Sequence, residues 1–240
     1  MSSVSRRSSP PVNRDLVDSL RAALSAAADP ERAAGQQAYM KSSLPYWGLT
    51  APVLRAAVRP VLDDPGHRLD RREWAATIRA LWDEVTHREE WYAAIALARH
   101  RHYRGWVDSD AMPLWRHLIE TGAWWDVVDE VATHLVLTAV EREPEVETLR
   151  MREWAEDEHL WVRRAAIICQ VGRRERVDLD LLTETILPNL ADRDFFIRKA
   201  VGWALRDAAR THPDWVRAFV GTHQDALSGL SRREALKHLD

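Results

Sequence analysis

The stretch "WVRRAA" at residues 161–166 returns in altered form as "FIRKAV" at 196–201, and "WYAAIA" at 91–96 is an earlier version of it. The intervals are 70 and 35 residues, and the vacant slot near residue 126 falls inside "WWDVVD" at 124–129. A period near 35 with two helices per unit is the mark of helical repeats stacked into a solenoid. Three loose matches also admit a non-repetitive helical bundle. Such solenoids curve, and the inner helix of each repeat faces the concave side. Trp125, Arg164 and Trp203 lie 39 residues apart and would come from consecutive units.

Outward from these copies, helical periodicity dominates. "NRDLVDSLRAALSAAA", "REWAATIRALWDEV", "AMPLWRHLIETG", "DLLTETILPNLA" and "DFFIRKAVGWALRDAAR" all space apolar residues three and four apart. Breakers such as "DDPGH", "REPE" and "THPD" separate them, and Pro144, Pro188 and Pro213 fall near helix boundaries. No segment reads as a strand, so the fold class is all-α. The opening "MSSVSRRSSPPVNR" is rich in Ser, Arg and Pro and reads as a disordered arm over residues 1–13, ahead of one domain over 14–240.

Composition narrows the function classes. The chain has 240 residues, 46% of them hydrophobic and 30% charged, with no run approaching the roughly 20 apolar residues that span a bilayer. A lone cysteine, Cys169, rules out an internal disulfide framework and a cysteine-rich zinc site. A cytoplasmic protein is expected. The net charge of −3 hides an uneven distribution. Residues 1–60 carry +4, residues 61–160 carry −10 and residues 161–240 carry +3. Local field matters more for binding than the sum. Arg163, Arg164, Arg173, Arg174, Arg176, Arg198, Lys199, Arg232, Arg233 and Lys237 recur at successive repeats in the basic third. Each cluster reads either as a solvated face or as part of a track for a polyanion. Ser231 with Glu234 has the spacing of a helix N-cap.

The segment Thr121–His134, "TGAWWDVVDEVATH", reads as one amphipathic helix. Trp124, Val127, Val128, Val131 and Leu135 form its apolar stripe, while Trp125 and Asp129, four apart, share another face. The bland reading is an indole lying over a neighbour and a solvated carboxylate. Most of the twelve tryptophans are expected in the core or as spacers between repeats; Trp203 is the exception, because Gly202 before it suggests that something approaches the backbone there. His100 and His102 ("HRH") read as solvated, and no metal is expected. There is no glycine-rich phosphate loop, no Gly-x-Ser-x-Gly elbow and no Cys/His pair.

The ordered stretches "YMKSSLPYWGLTAPVLR" (39–55), "TGAWWDVVDEVATH" (121–134), "LWVRRAAI" (160–167), "FFIRKAVGWALRDAAR" (195–210) and "LSRREALKH" (230–238) together resemble the AlkD-like DNA alkylation repair glycosylases. The resemblance covers nearly the whole chain. It implies HEAT-like helical repeats, a concave DNA-binding surface and hydrolysis of the N-glycosidic bond of N3- or N7-alkylated purines in duplex DNA, without base flipping and without a cofactor. It further implies that Asp129 is the catalytic carboxylate and that Trp125 and Trp203 pack against the lesion's deoxyribose. Arg164 lines the same cleft and reaches the DNA backbone. Tyr39, Arg55, Arg198, Lys199, Arg232 and Arg233 are the other expected DNA contacts. Ala51 departs from the pattern, at a position where a polar, phosphate-contacting residue is expected. The expected partner is double-stranded DNA carrying alkylated purines, met by a monomer in the bacterial cytosol or nucleoid, with no membrane involved. A catalytically silent DNA-structure binder and a helical-repeat interaction scaffold are the alternatives.

Overall fold

The computed structural model describes residues 11–239, and among them every regular element is a helix. Most of the expected N-terminal arm therefore lies outside the described residues. No described helix is long and apolar enough to cross a membrane. The chain divides between Trp106 and Val107 into two compact units.

The first unit holds α1 (Arg14–Ala26), α2 (Pro30–Met40), α3 (Ala51–Asp63), α4 (Arg71–Asp83) and α5 (Glu89–Ala98). Polar caps start several of them. Asn13 accepts from the Leu16 N–H, Asp29 from Arg32, and Asp70 with Glu73 makes a reciprocal capping box on α4. Leu16, Leu20, Leu24, Trp74, Ile78 and Leu81 are fully buried, which is the apolar face that the periodicity marks out. The buried Glu89 carboxylate accepts the backbone N–H groups of Trp47, Gly48 and Leu49 and so holds the segment leading into α3. Gly48 is required there: its φ is +91°, and a Cβ would sit 2.0 Å from the Asp29 carbonyl oxygen.

The second unit holds α6 (Met112–Gly122), α7 (Trp125–Glu130), α8 (Leu137–Arg142), α9 (Pro144–Ala155), α10 (Leu160–Ile168), α11 (Leu179–Ile186), α12 (Phe195–Ala208), α13 (Pro213–Thr222) and α14 (Gly229–Ala235). Helices α5, α7, α10 and α12 begin at residues 89, 125, 160 and 195, so the 35-residue period is real, and the vacant slot is filled by α7. Each is preceded by a partner helix: α4, α6, α9 and α11. Within the second unit α10 packs between α7 and α12, while α9 packs against both α10 and α11. Helices one repeat apart thus stack in sequence order, α7 on α10 on α12 and α9 on α11. Pro144 and Pro213 open α9 and α13, where a missing N–H costs nothing.

Two local readings need correction. Residues 121–134 are not one helix. Ala123 takes a left-handed φ of 37°, Trp124 is extended, and α7 starts only at Trp125. A π-helical turn, Val131–Val136, then joins α7 to α8. The cap of α14 is Ser228, whose Oγ accepts the Ser231 N–H, while Ser231 donates its own Oγ–H to the Arg198 carbonyl. Of the tryptophans, only Trp74, Trp82, Trp115, Trp154 and Trp161 are buried. The rest are half-buried, or exposed in the case of Trp125, because an indole is large enough to wall a surface while keeping one edge outside.

Candidate active site

The break at Ala123 explains the paired tryptophans. With Trp124 extended and Trp125 helical, the two neighbouring side chains go to different places. Trp124 meets Phe196 edge-on at 5.3 Å and Trp161 at 6.0 Å, and Trp161 and Phe196 lie 4.8 Å apart. This aromatic cluster ties the starts of α7, α10 and α12 together. Trp125 is left 36% exposed, one helical turn before Asp129.

Asp129 does not lie on an open face as the sequence suggested. Its side chain is 16% exposed and that of Arg164 only 6%. Arg164 Nε and Nη2 donate to the two carboxylate oxygens, each at 2.8 Å, and Nη1 donates to the Phe196 carbonyl at 2.7 Å. One guanidinium thus joins α7, α10 and α12. The bidentate fork is the arrangement for which arginine suits a carboxylate best.

The electrostatics of Asp129 are contested. Burial, the largest effect, pushes its pKa above the ordinary carboxylate value, the Arg164 hydrogen bonds and charge pull it down, and Asp126 and Glu130 push it up again. The net shift is upward. Asp126 and Glu130, its neighbours on α7, are therefore felt at the carboxylate. A carboxylate kept partly desolvated, with its pKa raised, is a better proton acceptor than one in water. The π turn follows two residues later, and the Thr133 hydroxyl donates to the Asp129 backbone carbonyl at 2.7 Å. Such turns recur at functional sites.

Trp203 is half-buried on α12, seven residues past Phe196 and so on the same stripe of that helix. What approaches Gly202 is α14: a Cβ there would sit 2.6 Å from Glu234 Cβ and 3.1 Å from the Ser231 carbonyl oxygen. Lys199 reaches Glu234 at 3.1 Å, and Arg206 pairs with the same carboxylate. Arg232 and Arg233 stand exposed on α14. Arg198 turns its Nε to the Asp194 carbonyl.

The basic track is thinner than the sequence implied. Arg163 pairs with Asp192, and Arg173 and Arg176 share Glu141. Tyr39, 77% exposed on α2, and Arg55, exposed on α3, belong to the first unit, as does Ala51, exposed at the start of α3. The second unit alone brings together Trp125, Asp129 and Arg164.

Sequence reading missed one constellation. Asp63, at the end of α3, lies with His100 and His102 such that one ligand-type atom from each falls within 4.8 Å of the others. The separation of 37 positions between Asp63 and His100 leaves no local pattern to find.

The match to known proteins agrees with this architecture. The chain resembles a solved structure described as a predicted DNA alkylation repair enzyme from Enterococcus faecalis, with 30% identity and a TM-score of 0.79, covering 88% of this chain and 96% of that one. No curated protein matches significantly. A family model described as DNA alkylation repair enzyme matches residues 20–239. That span takes in Trp125, Asp129, Arg164, Trp203 and the turn at Arg232, and the chain belongs to this family of DNA alkylation repair enzymes.

Proposed function

We propose that the protein is a DNA glycosylase that releases cationic N3- or N7-alkylated purines from duplex DNA. The observation that carries this reading is Asp129: a carboxylate with a raised pKa, clamped by Arg164, one turn from an exposed indole. A purine alkylated at N3 or N7 already carries positive charge. When the C1′–N bond breaks, its electron pair moves onto the base and cancels that charge, so no general acid is needed. The sugar is left oxocarbenium-like. Asp129 opposes that charge, a water oxygen adds to C1′, and Asp129 accepts the water's proton before passing it to solvent. The electron-rich faces of Trp125 and Trp203 attract the cationic sugar. Arg164 keeps the carboxylate in place with three of its five N–H donors engaged. Arg232 and Arg233, with Tyr39 and Arg55, supply further backbone contacts.

A site that grips sugar and backbone has no need to flip the lesion into a pocket, unlike most glycosylases. Lesions should then be sorted by charge and not by size. The Arg164 clamp also supports a second reading, a silent DNA-structure binder, because it neutralises the group that would act. One experiment separates them. Matched duplexes carrying N7-methylguanine, a bulky cationic N7 adduct or hypoxanthine are incubated under single-turnover conditions and released base is scored. The two cationic lesions should be excised, hypoxanthine should not, and Asp129→Asn should abolish release. Near-wild-type release by Asp129→Asn overturns the catalytic assignment, and binding without any release supports the silent binder.

A further inference from the structure

We propose that Asp63, His100 and His102 form a binding site for a divalent transition-metal ion of the zinc class. The site lies in the first unit, and the proposal does not depend on the glycosylase reading.

Helices α3 and α5 pack together, which brings the end of α3 to the turn that follows α5. That turn is held by backbone bonds from His100 N–H to the Leu97 carbonyl and from Tyr103 N–H to the His100 carbonyl. The imidazole rings of His100 and His102 lie 4.9 Å apart, tilted by 47°, and both lie against Tyr103. His100 Nε2 is 3.3 Å from Asp63 Oδ1, a long contact for this pair, while its Nδ1 is buried without a hydrogen-bond partner. A buried polar atom without a partner is rare and calls for a reason.

Two imidazole nitrogens and one carboxylate oxygen form the donor set of open zinc sites, and they offer too few oxygens for calcium or magnesium. Zinc bonds of about 2.0–2.2 Å place tetrahedral ligand atoms roughly 3.4 Å apart. The present spread, up to 4.8 Å, must therefore contract by up to about 1.4 Å. His102 is exposed and free to supply that movement. Arg101 and Arg59 compete with the ion, reaching Asp63 at 3.0 and 3.4 Å. Both arginine side chains are mostly in water, so they can swing aside, but their charge opposes a cation. The ion would clip α3 to the turn after α5, leaving its remaining coordination positions to water.

This arrangement makes two opposite predictions for neighbouring residues. Untagged full-length protein is titrated with zinc chloride by calorimetry, and with cobalt(II) while its visible absorption is followed. Wild type should show one saturable site of mixed nitrogen and oxygen ligation. His102→Ala, a change at an exposed residue, should weaken affinity by at least about tenfold. Arg101→Ala should tighten it by removing the competing cation. Zinc binding that His102→Ala leaves unchanged, or that Arg101→Ala weakens, overturns the proposal. So does a wild-type protein that binds neither ion.

Discussion

If burial outweighs Arg164 at Asp129, the ionised carboxylate costs the fold stability at neutral pH and its neutral isostere does not. Asp129→Asn keeps one acceptor oxygen for Arg164, and the Phe196 carbonyl keeps its bond at 2.7 Å. One charge-assisted bond is lost, worth about 1.5–3 kcal/mol, while a carboxylate desolvation penalty of several kcal/mol is relieved. The net change should lie between zero and a gain of about 1 kcal/mol, or up to about 4 °C in melting midpoint for a chain of this length. Arg164→Met behaves oppositely. It strands a carboxylate only 16% exposed, at a cost of about 3–5 kcal/mol and at least about 6 °C. The double variant removes both charges and should recover most of that loss, giving a coupling that additivity forbids. Urea unfolding at pH 7, followed by tryptophan fluorescence and far-ultraviolet circular dichroism and fitted for two units, measures all three. A loss above about 2 kcal/mol in Asp129→Asn, or a double variant as unstable as the sum of the singles, would refute the reasoning and make the pair a structural brace.

Protonation gives the same pair a pH signature. Because the native pKa of Asp129 lies above its ordinary 3.8, the stability it contributes is fully present below about pH 3.8 and is lost as pH rises through the raised value. The advantage of Asp129→Asn over wild type in urea should therefore open as pH rises across that window; a gap that closes instead means that Arg164 wins. At α12, Gly202→Ala gains about 1 kcal/mol of helix propensity but drives a Cβ to 2.6 Å from Glu234 Cβ and 3.1–3.2 Å from Ser231 backbone atoms, so a net loss of about 1–2 kcal/mol is expected in the same unfolding assay. Unchanged or improved stability would mean that α14 can back away from α12 at little cost.

The sequence by itself determined what depends on near neighbours along the chain. The 3.6-residue period marks the helices, the 35-residue recurrence places α7, α10 and α12 in register, and a spacing of four puts Trp125 and Asp129 one turn apart on α7. The break at Ala123 escaped that logic, because an alanine with a φ of 37° carries no turn signal of its own; the break is what turns Trp124 onto Trp161 and Phe196, contacts made across the helix stack. Only the stacked helices decided that Asp129 meets Arg164, 35 residues away, that Lys199 and Arg206 are absorbed by Glu234, and that α14 is what Gly202 accommodates. Asp63 joins His100 and His102 for the same reason. Charges and ligands find partners across helix interfaces, and a one-dimensional period records which helices stack but not which side chains meet between them.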